Sequence, residues 1–75
     1  MENPVFDKSL LTKVAVTLMP FGRYKGRAIV DLPEAYLLWF QHQGFPRGEL
    51  GQLLELALEI SVTGSRDLVK KLKYA

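Results

Sequence analysis

Seven consecutive residues, Phe21-Gly22-Arg23-Tyr24-Lys25-Gly26-Arg27, set three cations and two aromatic rings around a pair of glycines. Cations at this spacing can hold an anion, glycine N–H groups can approach an oxyanion closely, and Tyr24 or Phe21 can stack on a nucleobase. The same pattern also describes a glycine-shaped turn whose Arg23, Lys25 and Arg27 are merely solvated and whose rings belong to the core. It is not a phosphate-binding P-loop. Gly22 and Gly26 are separated by three residues rather than four, and Arg27-Ala28 stands where Lys-Ser/Thr is required.

The remaining candidates are weaker. His42 is the single histidine, and no partners at metal-ligand or triad spacing accompany it. Glu55 and Glu59 share a helix face, which reads as a solvated strip in the absence of a second acid–base partner. Tyr36, Trp39 and Phe40 read as core packing, the alternative being an aromatic platform. Lys70 and Lys71 belong to a basic end, Lys70-Lys71-Leu72-Lys73, that can join the anion surface or be solvated. No nucleophile, base and acid set can be assembled. The expectation is a chain without enzymatic activity, cofactor or metal.

The elements that must position these residues belong to one small domain, 1–75. With 48% hydrophobic residues, 24% charged residues and no cysteine, its stability has to come from packing alone. A net charge of +2 is too small to announce a polyanion, and the placement of the cations says more. The start, MENPVFDKS, lacks the basic and apolar regions of a signal peptide, and no window approaches the roughly 18 apolar residues that span a bilayer. A soluble, cytoplasmic protein with no membrane partner is expected.

Residues 8 to 18 read as a helix capped by Asp7 or Ser9, with Leu10, Leu11, Val14 and Leu18 on one face and Pro20 ending it. Met19-Pro20-Phe21 and Ala28-Ile29-Val30 flank the basic turn as a small β-hairpin, with Gly22 and Gly26 shaping its reversal. Asp31-Leu32-Pro33-Glu34 starts a second helix of about ten residues, apolar all round and therefore central, which Gly44 stops. Phe45-Pro46-Arg47-Gly48 turns into a third helix reaching about residue 62. Its apolar arc, widened by Leu56 and Ile60, requires cover from the other elements or from a second chain. Gly64 precedes a short basic helix with Leu68, Val69 and Leu72 inward. The fold class is α+β, mostly helical: a helix, a small hairpin-like turn, then two to three packed helices.

The blocks M-P-F-G-R-Y-K-G-R, D-L-P-E-x-Y-L-L-W-F and F-P-x-G-E-L-G-x-L-x-x-L-A-L-E-I resemble a family of short bacterial proteins of unknown function, described as "putative quorum-sensing-regulated virulence factor". The likeness covers about residues 6 to 72 and is carried by Pro20, Phe21, Gly22, Tyr24, Lys25, Gly26, Pro33, Tyr36, Leu37 and Trp39. A similar glycine-bounded module resembles the tails of some exonuclease-like proteins. That likeness implies nucleic-acid processing company rather than catalysis. Two functions follow from residues and resemblance together. One is a non-enzymatic binding module that contacts nucleic acid or another polyanion through Arg23, Tyr24, Lys25, Arg27, Lys70 and Lys71. The other is a protein-interaction or homodimerisation module in which the turn supplies shape only.

Overall fold

A computed structural model describes residues 8–74, with the side chains of 9–72. It holds four α-helices: α1 (Lys8–Val16), α2 (Glu34–Gln43), α3 (Glu49–Val62) and α4 (Arg66–Lys70). Single 3₁₀ turns cover Ile29–Asp31 and Lys71–Tyr74. The expected cap Asp7 lies outside the described residues, and Ser9 sits inside α1 rather than before it.

The α+β expectation is overturned, because the described residues contain no strand and the fold is all-helical. What was read as a hairpin is a loop closed by one antiparallel bridge, Leu18 to Ala28. The Met19 amide donates to the Arg27 carbonyl at 2.8 Å, and the Ile29 amide to the Thr17 carbonyl at 2.9 Å. Pairing stops there for two reasons. Pro20 brings no N–H to the next rung. Beyond Ala28 the chain curls, with the Asp31 amide on the Ala28 carbonyl and the Leu32 amide on the Ile29 carbonyl. A strand would send Ile29 and Val30 to opposite faces, one of them toward water. The 3₁₀ turn buries both, together with Leu32.

α3, not α2, is the central element. Gly51, Leu53, Leu54, Leu56, Ala57, Leu58 and Ile60 are all buried, so its broad arc is covered by the chain's own α1, α2, α4 and the Ile29–Asp31 turn. Among the alternatives for that arc, cover from within one chain is the one observed. α2 buries only Leu37 and Phe40, one turn apart, and leaves Leu38 and Trp39 exposed. The expectation that α2 is apolar all round for burial therefore fails. α1 ends at Val16, two residues earlier than its periodicity suggested, which frees Leu18 for the bridge and leaves its side chain exposed.

Two termini explain the punctuation in the sequence. Pro33 precedes α2 as its cap residue, and its carbonyl accepts the amides of Tyr36 and Leu37, each at 3.1 Å. At the end of α3, Gly64 takes φ +71°. Its amide bonds the Ser61 carbonyl while that of Ser65 reaches back to Ile60, satisfying carbonyls that a helix end otherwise orphans.

Polar contacts then tie the helices together. Lys13 of α1 pairs with Glu49 of α3 at 2.9 Å. Arg66 donates to the Leu32 carbonyl at 2.7 Å and to the Ser61 hydroxyl at 2.9 Å. The Ser61 hydroxyl in turn donates to Glu34 at 2.8 Å. One guanidinium thus joins the start of α4, the end of α3 and the approach to α2.

Candidate nucleic-acid interface

The basic loop owes its shape to its backbone. Both ends meet at Met19, whose amide donates to Arg27 and whose carbonyl accepts the amide of Gly26 at 2.8 Å. Within the loop, the Lys25 amide bonds the Gly22 carbonyl at 3.2 Å and the Arg27 amide bonds the Tyr24 carbonyl at 3.0 Å. Gly22 at φ +79° and Gly26 at φ +86° take the left-handed conformation that the turn requires, as expected of them. One part of the anion reading needs correction. The Gly26 N–H is committed to Met19 and cannot serve an oxyanion. Among the described residues, the amides of Phe21, Gly22, Arg23 and Tyr24 donate to no backbone carbonyl.

Side chains on this frame converge on aromatic rings. The guanidinium carbons of Arg23 and Arg27 lie over the Tyr24 ring, 5.6 and 5.7 Å from its centroid, within cation–π range. Tyr24 meets Tyr36 of α2 edge-on, with centroids 4.7 Å apart. Gly22 lies close to the same residue, since a Cβ built there would stand 3.2 Å from the Tyr36 hydroxyl. Tyr36 continues to Trp39, the rings parallel within 4° at 6.4 Å, and to Phe40, edge-on at 5.1 Å. Arg23, Lys25, Arg27 and Trp39 are exposed, Tyr24 and Tyr36 half-buried. Two of the cations and the rings are therefore linked by one chain of contacts.

Not every expected site residue joins it. Lys70 pairs with Asp31 at 2.9 Å, and that hydrogen bond, followed by attraction to the same carboxylate, raises its ammonium above the usual lysine value. Lys71 is exposed on the closing 3₁₀ turn. Arg66, at the start of α4, is a structural donor. Trp39 is the member that sequence reasoning assigned to the core instead. The signal was present: Leu37 and Phe40 define the buried face, and Trp39 lies about 200° round the helix from Leu37.

His42 is exposed at the end of α2, and Glu55 and Glu59 are exposed on α3. Among the described residues no three His, Cys, Asp or Glu side chains gather in a way that could hold a metal ion. No helix among them is long and apolar enough to cross a membrane.

Comparison with known proteins covers nearly the whole chain. The model of the family described as "putative quorum-sensing-regulated virulence factor" matches residues 7–72. The chain belongs to that family. It is similar to the "Uncharacterized protein YpeB" of Escherichia coli strain K12, 50% identical over 68 residues that cover 89% of this chain and 94% of that protein. The same protein from Escherichia coli O157:H7 matches to the same extent. No solved structure matches the chain. The family description assigns no chemistry to any residue.

Proposed function

We propose that this family member is a small, non-enzymatic module that binds nucleic acid through the 21–27 loop. The observation that carries the reading is the pair of arginines held over one tyrosine ring, itself packed on α2. Cations fixed beside aromatic faces suit a ligand that alternates phosphates with flat bases. The pairing of Lys70 with Asp31 supports the reading indirectly, because it offsets the carboxylate that follows the loop in sequence. Contact is short, and binding is expected to be weak and tolerant of sequence.

The test is a salt titration of binding to nucleic acid. Three cations can neutralise about three phosphates, giving a log–log salt slope of roughly −2 to −3 on duplex DNA. Replacing Arg23, Lys25 and Arg27 together by alanine should flatten the slope and leave the thermal midpoint close to wild type. The absence of binding to duplex, single-stranded DNA and RNA at low salt would overturn the reading. Binding that survives the triple change would move it to Lys71 and its neighbours.

A second reading, a protein-interaction module, draws on the exposure of Phe21, Leu38 and Trp39. Association through such residues would strengthen or hold steady as salt rises, which is the opposite dependence.

A further inference from the structure

We propose that Trp39 is the base-stacking group of this surface, so that the ligand it prefers is single-stranded nucleic acid rather than duplex or a polyanion without bases. The inference rests on the nucleic-acid reading above and goes beyond it by naming the strand state and the residue that senses it. An exposed apolar side chain by itself calls for no explanation. Trp39 differs because its exposure, 53%, is combined with a fixed orientation. The Phe40 ring, buried below it, meets the indole edge-on at 5.1 Å and 76°. The Tyr36 ring lies parallel to it. A large ring already held in place loses little freedom when a second flat ring docks on it.

The neighbours supply the rest of the recognition. From Trp39, ring contacts run through Tyr36 to Tyr24, and over Tyr24 stand Arg23 and Arg27. A strand laid along this path would find a stacking face at one end and phosphate-binding cations at the other. The acid on α2, Glu34, is engaged by Ser61. In a duplex both faces of each base are occupied by its neighbours, and an indole on a helix surface has nothing to stack on. In a single strand the faces are available.

Trp39 is the only tryptophan in the chain, so its fluorescence reports on stacking directly. Four probes are titrated at one low salt concentration: a short oligothymidylate, an abasic deoxyribose-phosphate oligomer of equal length, a hairpin duplex, and inorganic polyphosphate. The expected result is quenching by oligothymidylate alone, with affinity above that for the abasic oligomer. Trp39→Ala should then weaken oligothymidylate binding about tenfold, as expected for one stacked base, and leave polyphosphate binding unchanged. Trp39→Phe should retain part of the difference, and it serves as the variant of choice if the alanine protein loses its circular-dichroism signal. Equal binding of oligothymidylate and abasic oligomer without quenching overturns the stacking role while the anion surface stands. Duplex binding as tight as oligothymidylate overturns the strand preference. Failure of all four probes to bind overturns both this inference and the reading on which it rests.

Discussion

Gly51 of α3 lies so close to the carbonyl of Pro46 that any Cβ at position 51 would overlap it. The turn before α3 is folded down onto the helix's own first turn, and only a residue without a side chain permits that approach. In an ordinary helix interior, Gly→Ala is favourable by about 1 kcal/mol. Here the backbone of the 45–48 turn would have to move, at a cost typical of overpacking, about 1–3 kcal/mol or more. Gly51→Ala is therefore expected to lower the urea midpoint. A raised midpoint would mean that the turn can lift off α3 freely.

The two loop glycines should respond differently from one another. Gly26 faces open space, so Gly26→Ala carries only the strain of a positive φ, about 1 kcal/mol. Gly22→Ala adds contact with the Tyr36 hydroxyl at 3.2 Å and should cost more. Adding Tyr36→Phe to the Gly22 variant should recover the excess. Denaturant midpoints of the four proteins decide the order.

Arg66→Ala removes the donor shared by the Leu32 carbonyl and Ser61. Charge-assisted bonds of this kind contribute about 1.5–3 kcal/mol, and a loss in that range is expected. Both bonds leave one terminal nitrogen, Nη2, so Arg66→Lys, whose ammonium carries three donors on one nitrogen, should recover part of it. Lys71→Ala, on an exposed side chain, is the control and should change stability by less than about 0.5 kcal/mol.

Leu56 and Ile60 are each only 5% exposed within one chain. Leu56→Glu should consequently destabilise the protein by more than about 3 kcal/mol, since it buries a charge without a partner. Thermal unfolding followed by circular dichroism measures this. A variant that stays folded but changes its sedimentation would instead place that face of α3 at a contact between chains.

The raised ammonium of Lys70 fixes the sign of an alkaline effect. A cation whose pKa is higher in the folded chain stabilises fully below its unfolded value, 10.5, and loses that contribution as pH rises through the folded value. Lys70→Gln should sit slightly below wild type in stability at neutral pH, and the gap should close as pH rises beyond the ordinary lysine value of 10.5. Both partners are solvent-accessible, so the gap is small. A gap that widens in alkali would show that Lys70 acts through something other than its charge.

Much of the helical framework was legible in the sequence because its signals were local. Pro33 and Gly44 bracket α2, Gly64 closes α3, and the Leu53–Ile60 run has helical spacing throughout. The hairpin was not, because Ala28-Ile29-Val30 is a good strand sequence whose fate depends on burying three neighbouring side chains at once, a tertiary demand. The loop glycines were readable from the need for positive φ. The identity of the rings beside them was not, since Tyr24 and Tyr36 are twelve residues apart and their contact exists only in the folded chain. Gly51 left a legible trace, a glycine inside an otherwise strong helix, whose meaning required the position of Pro46. Lys70 looked like surface charge and is instead spent on Asp31.

The loop is closed at Met19 by main-chain atoms alone. The side chains of Arg23, Lys25 and Arg27 contribute no hydrogen bond to that closure, so they are cargo rather than framework. A chassis of this kind can be refitted: exchanging those three positions for acids, amides or further rings would redirect what the surface recognises without asking the helices to refold. For protein engineering, the 21–27 segment is a ready cassette on a 75-residue carrier.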